Sequence, residues 1–309
     1  MAHMRDSSPP ARRAIARAPM FAAATAIALL AVLPGAPAEA QAREHRRHDF
    51  ESPEGRILGF YSAALAFTGG GPALESAPGM VAFALEATYV PYLTREQRTA
   101  SSDKPQSSNL APVFPRPRVM FSLPWRIRAE ASWIPPLRVF DAEANLLSVA
   151  ISRPIGEHAG VTFVPRLAFT AGRIEGAITC NDDLLEGSQD QQVYHAAVCR
   201  GRESEDHFDP RHVSAELLAS RPVSAGRFVP YVSAGVRHER VRFDIGVIRD
   251  DGTRDPDHPV LEMDATRPFA IVGAQWRVHD RFATGTEVFI APGSLVTARV
   301  LATLRLRGH

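Results

Sequence analysis

Hydrophobic and polar positions alternate along most of the sequence after residue 80. Between Val81 and Tyr89 every odd position is apolar, whereas Glu86 and Thr88 fall at even positions. A period of two over about ten residues is typical of a β-strand with one apolar and one polar face. The pattern predicts an all-β fold with strands over 57–67, 80–92, 116–123, 126–135, 143–153, 160–173, 211–221, 227–243, 261–278, 281–291 and 294–306.

The strand lengths and the character of the polar face indicate that the apolar face is turned toward lipid. Strands of about ten residues cross a bilayer at a tilt, and the polar positions carry mostly small residues with single charges rather than a dense charged coat. Aromatic residues near strand ends suit the girdles that membrane barrels place at both bilayer surfaces. The predicted girdle residues are Tyr61, Tyr89, Trp133, Trp276 and Phe289.

The connections between the predicted strands alternate in length, being short at 124–125, 154–159, 222–226 and 279–280 and long at 94–115, 174–210 and 246–259. Short turns at one end and long loops at the other are typical of outer-membrane barrels. In this arrangement the sequence resembles the outer-membrane β-barrel proteins of Gram-negative bacteria over essentially the whole mature chain, without a subfamily motif. The resemblance implies an antiparallel transmembrane β-barrel, with outer-membrane lipid and the barrel assembly machinery as partners. Since bacterial single-chain barrels have even strand numbers, we expect about twelve strands, with ten as the fallback.

The N-terminal residues have the order of a secretory signal peptide. Arg12, Arg13 and Arg17 precede an apolar stretch over 20–33, and small residues flank Glu39 in an A-x-A arrangement. We therefore predict a signal peptide over 1–40, a loose periplasmic tail over 41–55, and a single barrel domain over 56–309. A cleaved signal peptide and the barrel together predict location in the outer membrane.

The charge balance bears on nucleic-acid binding, and the two cysteines bear on disulfide formation. The chain carries 35 basic and 34 acidic residues, and this balance argues against a nucleic-acid partner because phosphate binding usually needs a basic domain. Cys180 and Cys199 lie in the longest loop, and in an exported protein two such cysteines most simply form a disulfide. Two free thiols or a metal pair are the alternative interpretation.

Charged residues at lumen-facing positions form the most distinctive polar pattern. We expect pairing across strands, because unpaired charges at membrane depth are costly, and a turn centred on Gly293 places Glu287 opposite Arg299. The alternative is a permeation path in which arginines select anions. The predicted lumen-lining residues are Glu86, Arg118, Arg128, Glu130, Arg166, Glu216, Arg237, Glu287, Arg299 and Arg305.

No sharp catalytic or metal-binding motif accompanies these charges. His212, Ser214 and Glu216 share one strand face, but a catalytic triad normally draws its members from separate segments and no G-x-S-x-G turn occurs. The long loops are rich in Asp and Glu, and their oxygen atoms could bind Ca²⁺ or Mg²⁺ or simply be solvated. We assign no catalytic residue, metal site or cofactor from the sequence.

The sequence thus predicts a structural or porin-like outer-membrane barrel, in which small solutes would pass passively through a narrow lumen lined by Arg and Glu. Two other functions stay open. One is a soluble periplasmic β-barrel or sandwich that binds a small apolar ligand inside. The other is an outer-membrane lipid hydrolase.

Overall fold

The computed structural model describes residues 45–69, 71–72, 78–93, 112–139, 142–180, 189, 192–193, 196, 199–255 and 259–307. The predicted signal peptide lies outside these residues. The elements with defined bounds in this part of the chain include one α-helix and twelve strands. In order they are β1 (His45–His48), α1 (Pro53–Ala64), β2 (Val81–Tyr89), β3 (Val113–Ser122), β4 (Arg128–Val139), β5 (Ala142–Ser152), β6 (Gly156–His158), β7 (Val161–Gly176), β8 (Asp206–Ser220), β9 (Phe228–Asp244), β10 (Val260–His279), β11 (Phe282–Ala291) and β12 (Leu295–Arg307).

Ten of these strands close into an antiparallel barrel. The sheet runs β2-β3-β4-β5-β7-β8-β9-β10-β11-β12, and β12 pairs with β2 through Val300 and Ala87. The expectation of about twelve barrel strands is therefore wrong and the fallback of ten is confirmed. β1 and β6 stand outside the closed circuit, because β1 pairs only with one end of β10 and β6 only with β7.

The two ends of the barrel differ, and we name them by their connections. The turn end carries 123–127, 153–160, 221–227 and 280–281, together with the C-terminal residues of β12. The loop end carries the connections over 90–112, 177–205 and 245–259, and also the short connections over 140–141 and 292–294. Within the loop connections, a disulfide joins Cys180 to Cys199, as the sequence predicted.

One of the eleven predicted strands, 57–67, is wrong, because most of it forms the helix α1. Ser52 caps the helix, with its hydroxyl accepting a hydrogen bond from the Gly55 N–H at 3.1 Å, and Pro53 occupies the first turn. Eight of the twelve helical residues are buried, and they lie on several sides of the helix because the barrel encloses it. A helix buried all round lacks an amphipathic stripe, whereas the Ser-Pro start was a usable signal.

The N-terminal segment, which we call the plug and define as residues 45–72, runs through the barrel from the loop end toward the turn end. β1 pairs in parallel with Val260–Met263 of β10 at the loop end. At the other end of the plug the Pro72 carbonyl accepts a hydrogen bond from Arg128. The structure thus places residues 45–55 in a strand and the start of a helix, where the sequence predicted a loose tail.

The outer face of the barrel is apolar. Side chains from every barrel strand project outward with about half of their surface exposed, among them Leu85, Leu147, Leu167, Val213, Val236, Val272 and Val300. Among the predicted girdle residues, Tyr89, Trp133 and Trp276 are exposed. The assignment of the other two is wrong. Tyr61 lies on α1 inside the barrel, and Phe289 is fully buried because it shares the inward face of β11 with Glu287.

The neighbouring strands β3 and β4 separate along part of their length. Over the described residues β3 pairs with β4 only through Val119–Ser122 and Arg128–Ala131. Residues 113–118 of β3 remain paired with β2, and residues 132–139 of β4 remain paired with β5 apart from a bulge at Pro135 and Pro136. The two strands therefore separate toward the loop end, and we call this separation the β3–β4 gap.

Candidate functional site

The inward charges that the sequence predicts lie mostly inside the lumen. Eight are buried: Glu86, Arg118, Glu130, Arg166, Glu216, Arg237, Glu287 and Arg299. Arg128 and Arg305 lie at the turn end and are partly exposed. The same lumen contains further charges that the prediction omitted, among them Arg116, Glu239 and Arg267. Strand parity could have identified Arg116 and Glu239, since they share faces with Arg118 and Arg237.

Several of these charges form a chain of ion pairs around the wall. Arg118 pairs with Glu86 and lies 3.4 Å from Glu130. Arg166 reaches Glu130 at 3.4 Å and Glu216 at 2.8 Å. Each member has an opposite charge on a neighbouring strand, so the burial of these groups is compensated electrostatically.

The arginines also hold the plug through its backbone. Arg116 donates hydrogen bonds to the carbonyl oxygens of Leu65 at 2.8 Å and Ala66 at 3.1 Å. Arg118 donates to the Thr68 carbonyl at 2.8 Å, and the ring of Phe67 lies 4.3 Å from its guanidinium carbon. Backbone groups of an extended segment inside a barrel need such partners, because no sheet ladder supplies them.

The plug therefore fills the part of the lumen that carries these charges. From the wall, Glu216 accepts a hydrogen bond from the Gly69 N–H at 3.0 Å. Two small cavities beside this part of the plug measure only about 10 Å³ each. Each has about the space of one water molecule. The expected Arg/Glu-lined permeation path is thus replaced, in the described part of the chain, by a packed contact between wall and plug.

His212 and its neighbours are not arranged as a catalytic triad, in which the base contacts the nucleophile on one side and the acid on the other. The Ser62 Oγ lies 2.8 Å from the His212 Nε2, and the same hydroxyl donates to Glu239. The acid thus contacts the serine rather than the histidine, and the His212 Nδ1 has no hydrogen-bond partner. Glu216 binds Arg166 instead of His212. A triad orients its histidine through the acid, so this arrangement resembles a tether for α1 more than a catalytic centre.

An apolar cavity of about 420 Å³ lies at the loop end, between α1 and the barrel wall. It was not predicted from the sequence. The available signal was a set of apolar residues at inward positions near the loop end, where the rest of the lumen is charged. The lining consists of Ile57, Leu58, Tyr61, Ala64, Leu65, Val90, Val113, Phe114, Pro115, Pro117, Ile134, Pro135, Leu137, Ala142, Ala144, Ile174, Ile178, Phe208 and Phe243.

None of the described residues that line this cavity carries a charge. The only hydroxyl among them belongs to Tyr61, whose phenol is neutral at physiological pH. Aromatic side chains form much of one wall, with the rings of Tyr61 and Phe208 6.3 Å apart and those of Phe208 and Phe243 also 6.3 Å apart. The volume falls in the range of about 300–1,000 Å³ typical of small-molecule sites.

Within the ranges given above, no three His, Cys, Asp or Glu side chains come together in a way that could hold a metal ion. Over the same residues, no helix is both long enough and apolar enough to cross a membrane.

Comparison with known proteins gives distant likenesses to solved structures. No protein-family model and no curated protein matches the sequence. Among solved structures, the chain is similar to the toluene transporter TodX of Pseudomonas putida, with 11% identity, a TM-score of 0.31, and coverage of 79% of this chain and 72% of TodX. The attachment invasion locus protein Ail of Yersinia pestis has 8% identity and a TM-score of 0.27, with 74% and 100% covered. Outer membrane phospholipase A of Escherichia coli has 11% identity and a TM-score of 0.23, with 81% and 98% covered.

The closed antiparallel β-barrel is established by the strand pairing of the present chain. The likeness concerns the fold alone.

Proposed function

We propose that this protein is an outer-membrane barrel that binds a small, neutral, apolar molecule in the cavity at its loop end. The observation that carries the proposal is the cavity itself, which combines a volume of about 420 Å³ with a lining that has no charge among the described residues. A ligand with a bare charge would lose its hydration there without gaining a partner. A hydrocarbon or long-chain alcohol would gain the free energy of burying apolar surface.

The outer face supports a membrane location. The exposed side chains of the barrel strands are apolar at positions such as Leu85, Leu167 and Val236. In water, a contiguous apolar belt of this extent would drive aggregation, whereas in a bilayer it meets lipid. The soluble periplasmic alternative is therefore less favoured, although its central idea, an apolar ligand inside a barrel, remains part of the present proposal.

The plug bears on the other two expected functions. Passive passage of polar solutes would require displacement of a segment that Arg116, Arg118 and Glu216 hold through hydrogen bonds. We therefore favour binding of an apolar molecule over a porin-like role. The lipid hydrolase stays a prediction without a supporting arrangement around His212.

The proposal can be tested by filling the cavity. Ala144 lines it, whereas Ala215 faces outward on β8 and lies away from it. We expect native mass spectrometry of protein released from detergent to detect a one-to-one complex with 1-dodecanol for the wild type and for Ala215→Phe. The complex should be lost in Ala144→Phe, because the added ring occupies ligand space. Equal binding by all three proteins, or binding by none, would contradict the proposal.

A further inference from the structure

The apolar cavity extends to both faces of strand β3. Phe114 is on the inward face of this strand, whereas Val113, Pro115 and Pro117 are on its outward, exposed face, and all four line the cavity. A cavity contacts both faces of one strand by passing around a free edge or around the strand's end, and Pro117 lies four residues inside β3, away from its end. The free edge of β3 is the one at the β3–β4 gap, since its other edge pairs with β2 along its whole length.

Proline explains why the strands separate at this point. Ser122 exchanges backbone hydrogen bonds with residues next to β2, with its N–H donating to Met80 and its carbonyl accepting from Gly79. Because backbone direction alternates along a strand, the even residues of β3 point toward β2 and the odd residues point toward β4. The nitrogens of Pro115 and Pro117 therefore face β4 and have no hydrogen to donate.

The register shows that the ladder could not continue. Val119 pairs with Ala131 and Phe121 with Ala129. The next two positions in the same register would place Pro117 opposite Trp133 and Pro115 opposite Pro135. The first pair could form one of its two hydrogen bonds and the second pair could form neither. The prolines thus prevent closure and also remove N–H groups that would otherwise be unsatisfied in a nonpolar environment.

The gap lies at the depth of the lipid-facing belt. Pro117 pairs with Leu85, whose side chain projects outward, and Val113 pairs with Tyr89, an exposed aromatic residue at the end of β2. The gap therefore extends from the apolar belt up to the level of an aromatic residue. Trp133 borders it on β4 with 56% of its surface exposed.

We propose that the β3–β4 gap is a lateral portal through which a neutral apolar molecule passes between the lipid bilayer and the cavity. This inference rests on the proposed function, since it concerns how the ligand of that cavity enters and leaves. A sideways route suits an apolar ligand because its concentration is higher in the bilayer than in water. The plug lines the inner side of the cavity through Ile57, Leu58 and Tyr61, whereas Val113, Pro115 and Pro117 line it at the gap.

The test restores the missing donors and follows access from the bilayer. In the triple variant Pro115→Val, Pro117→Val and Pro135→Val, all the nitrogens that face across the gap can donate, so the strands can pair and close it. Pro165→Val is the matched control, because Pro165 lies inside a continuous ladder between β7 and β8. The probe is 3-(trifluoromethyl)-3-(3-iodophenyl)diazirine, an apolar photoreactive compound, dissolved in phosphatidylcholine vesicles that contain the folded protein.

We expect the probe to label the peptide that carries α1 in the wild type and in Pro165→Val. In the triple variant this labelling should be lost, while labelling of the lipid-facing peptide around Leu167 persists as an internal control. Equal labelling of α1 in all three proteins would overturn the portal and leave the cavity intact. Absence of α1 labelling in the wild type would also overturn the portal, and the 1-dodecanol complex would then show separately whether the proposed function stands.

A second variant covers the case in which the triple variant does not fold, which heat-modifiable migration on gels would reveal. Val113→Trp places a large side chain on the outward edge of the gap, where Val113 is 48% exposed, without altering the ladder. We expect reduced labelling of α1 in this variant. Unchanged labelling in a folded Val113→Trp protein would count against the portal.

Discussion

Arg116 on the barrel wall binds the backbone of Leu65 in the plug, with its guanidinium 2.8 Å from the carbonyl oxygen. This contact joins the strand that borders the β3–β4 gap to the segment that closes the lumen beneath the cavity. It also shows what the inward charges do. Their first role is structural, because they satisfy an extended segment that has no sheet of its own.

Two charge pairs in the lumen should behave differently in double-mutant cycles. Arg166 and Glu216 are in direct contact at 2.8 Å. Removing Arg166 takes away the 2.8 Å ion pair of the buried Glu216, so Arg166→Gln should destabilise the barrel by about 3–5 kcal/mol. Glu216→Gln should cost less, because Arg166 keeps Glu130 at 3.4 Å. The double variant should lose clearly less than the sum of the two. Urea unfolding in detergent measures all three free energies of unfolding.

Glu287 and Arg299 provide the comparison pair. They lie directly opposite each other in the β11–β12 hairpin, as the turn at Gly293 predicted. However, Glu287 accepts its hydrogen bond from Tyr231, and Arg299 donates to Thr68 and Ala66. We expect the coupling free energy of this pair to be smaller than that of Arg166 and Glu216. A larger value would show that register alone, rather than contact, determines the coupling.

The lipid-facing belt predicts a depth-dependent cost of charge. Leu167 projects outward from the middle of β7 and is 58% exposed. Leu167→Arg should destabilise the folded barrel by about 2–4 kcal/mol in liposomes, whereas the same change near an interface costs about 0–1 kcal/mol. Ile155 is exposed at the turn end and serves as the interfacial control. Equal folding yields for Leu167→Arg and Ile155→Arg would contradict the membrane-spanning orientation of this face.

The topology can be tested with a tag inserted at Gln189, an exposed residue in the connection between β7 and β8. Long loops of outer-membrane barrels face outward, so antibody should bind the tag on intact cells. A matched tag at Gly226, in the turn between β8 and β9, should bind only after permeabilisation. The reverse pattern would place the loop end, and with it the cavity, on the periplasmic side.

The β-strands and their faces were predictable from sequence because the signal is local. Alternation with a period of two assigns a face to each residue without knowledge of its neighbours in space. All ten barrel strands were located in this way, and so was the inward position of Glu86, Arg166 and Glu216. The disulfide between Cys180 and Cys199 was equally accessible, since both cysteines lie in one loop of a chain that the sequence predicts to be exported.

The plug, the cavity and the gap were decided only by tertiary structure. Residues 57–67 are apolar all round because the barrel encloses them, and an enclosed helix and a buried strand have similar composition. The gap depends on which neighbour each backbone nitrogen faces, which follows from the pairing of β3 with β2 and from its register with β4. The prolines at 115, 117 and 135 are visible in the sequence, but their meeting across one gap is a property of the closed barrel.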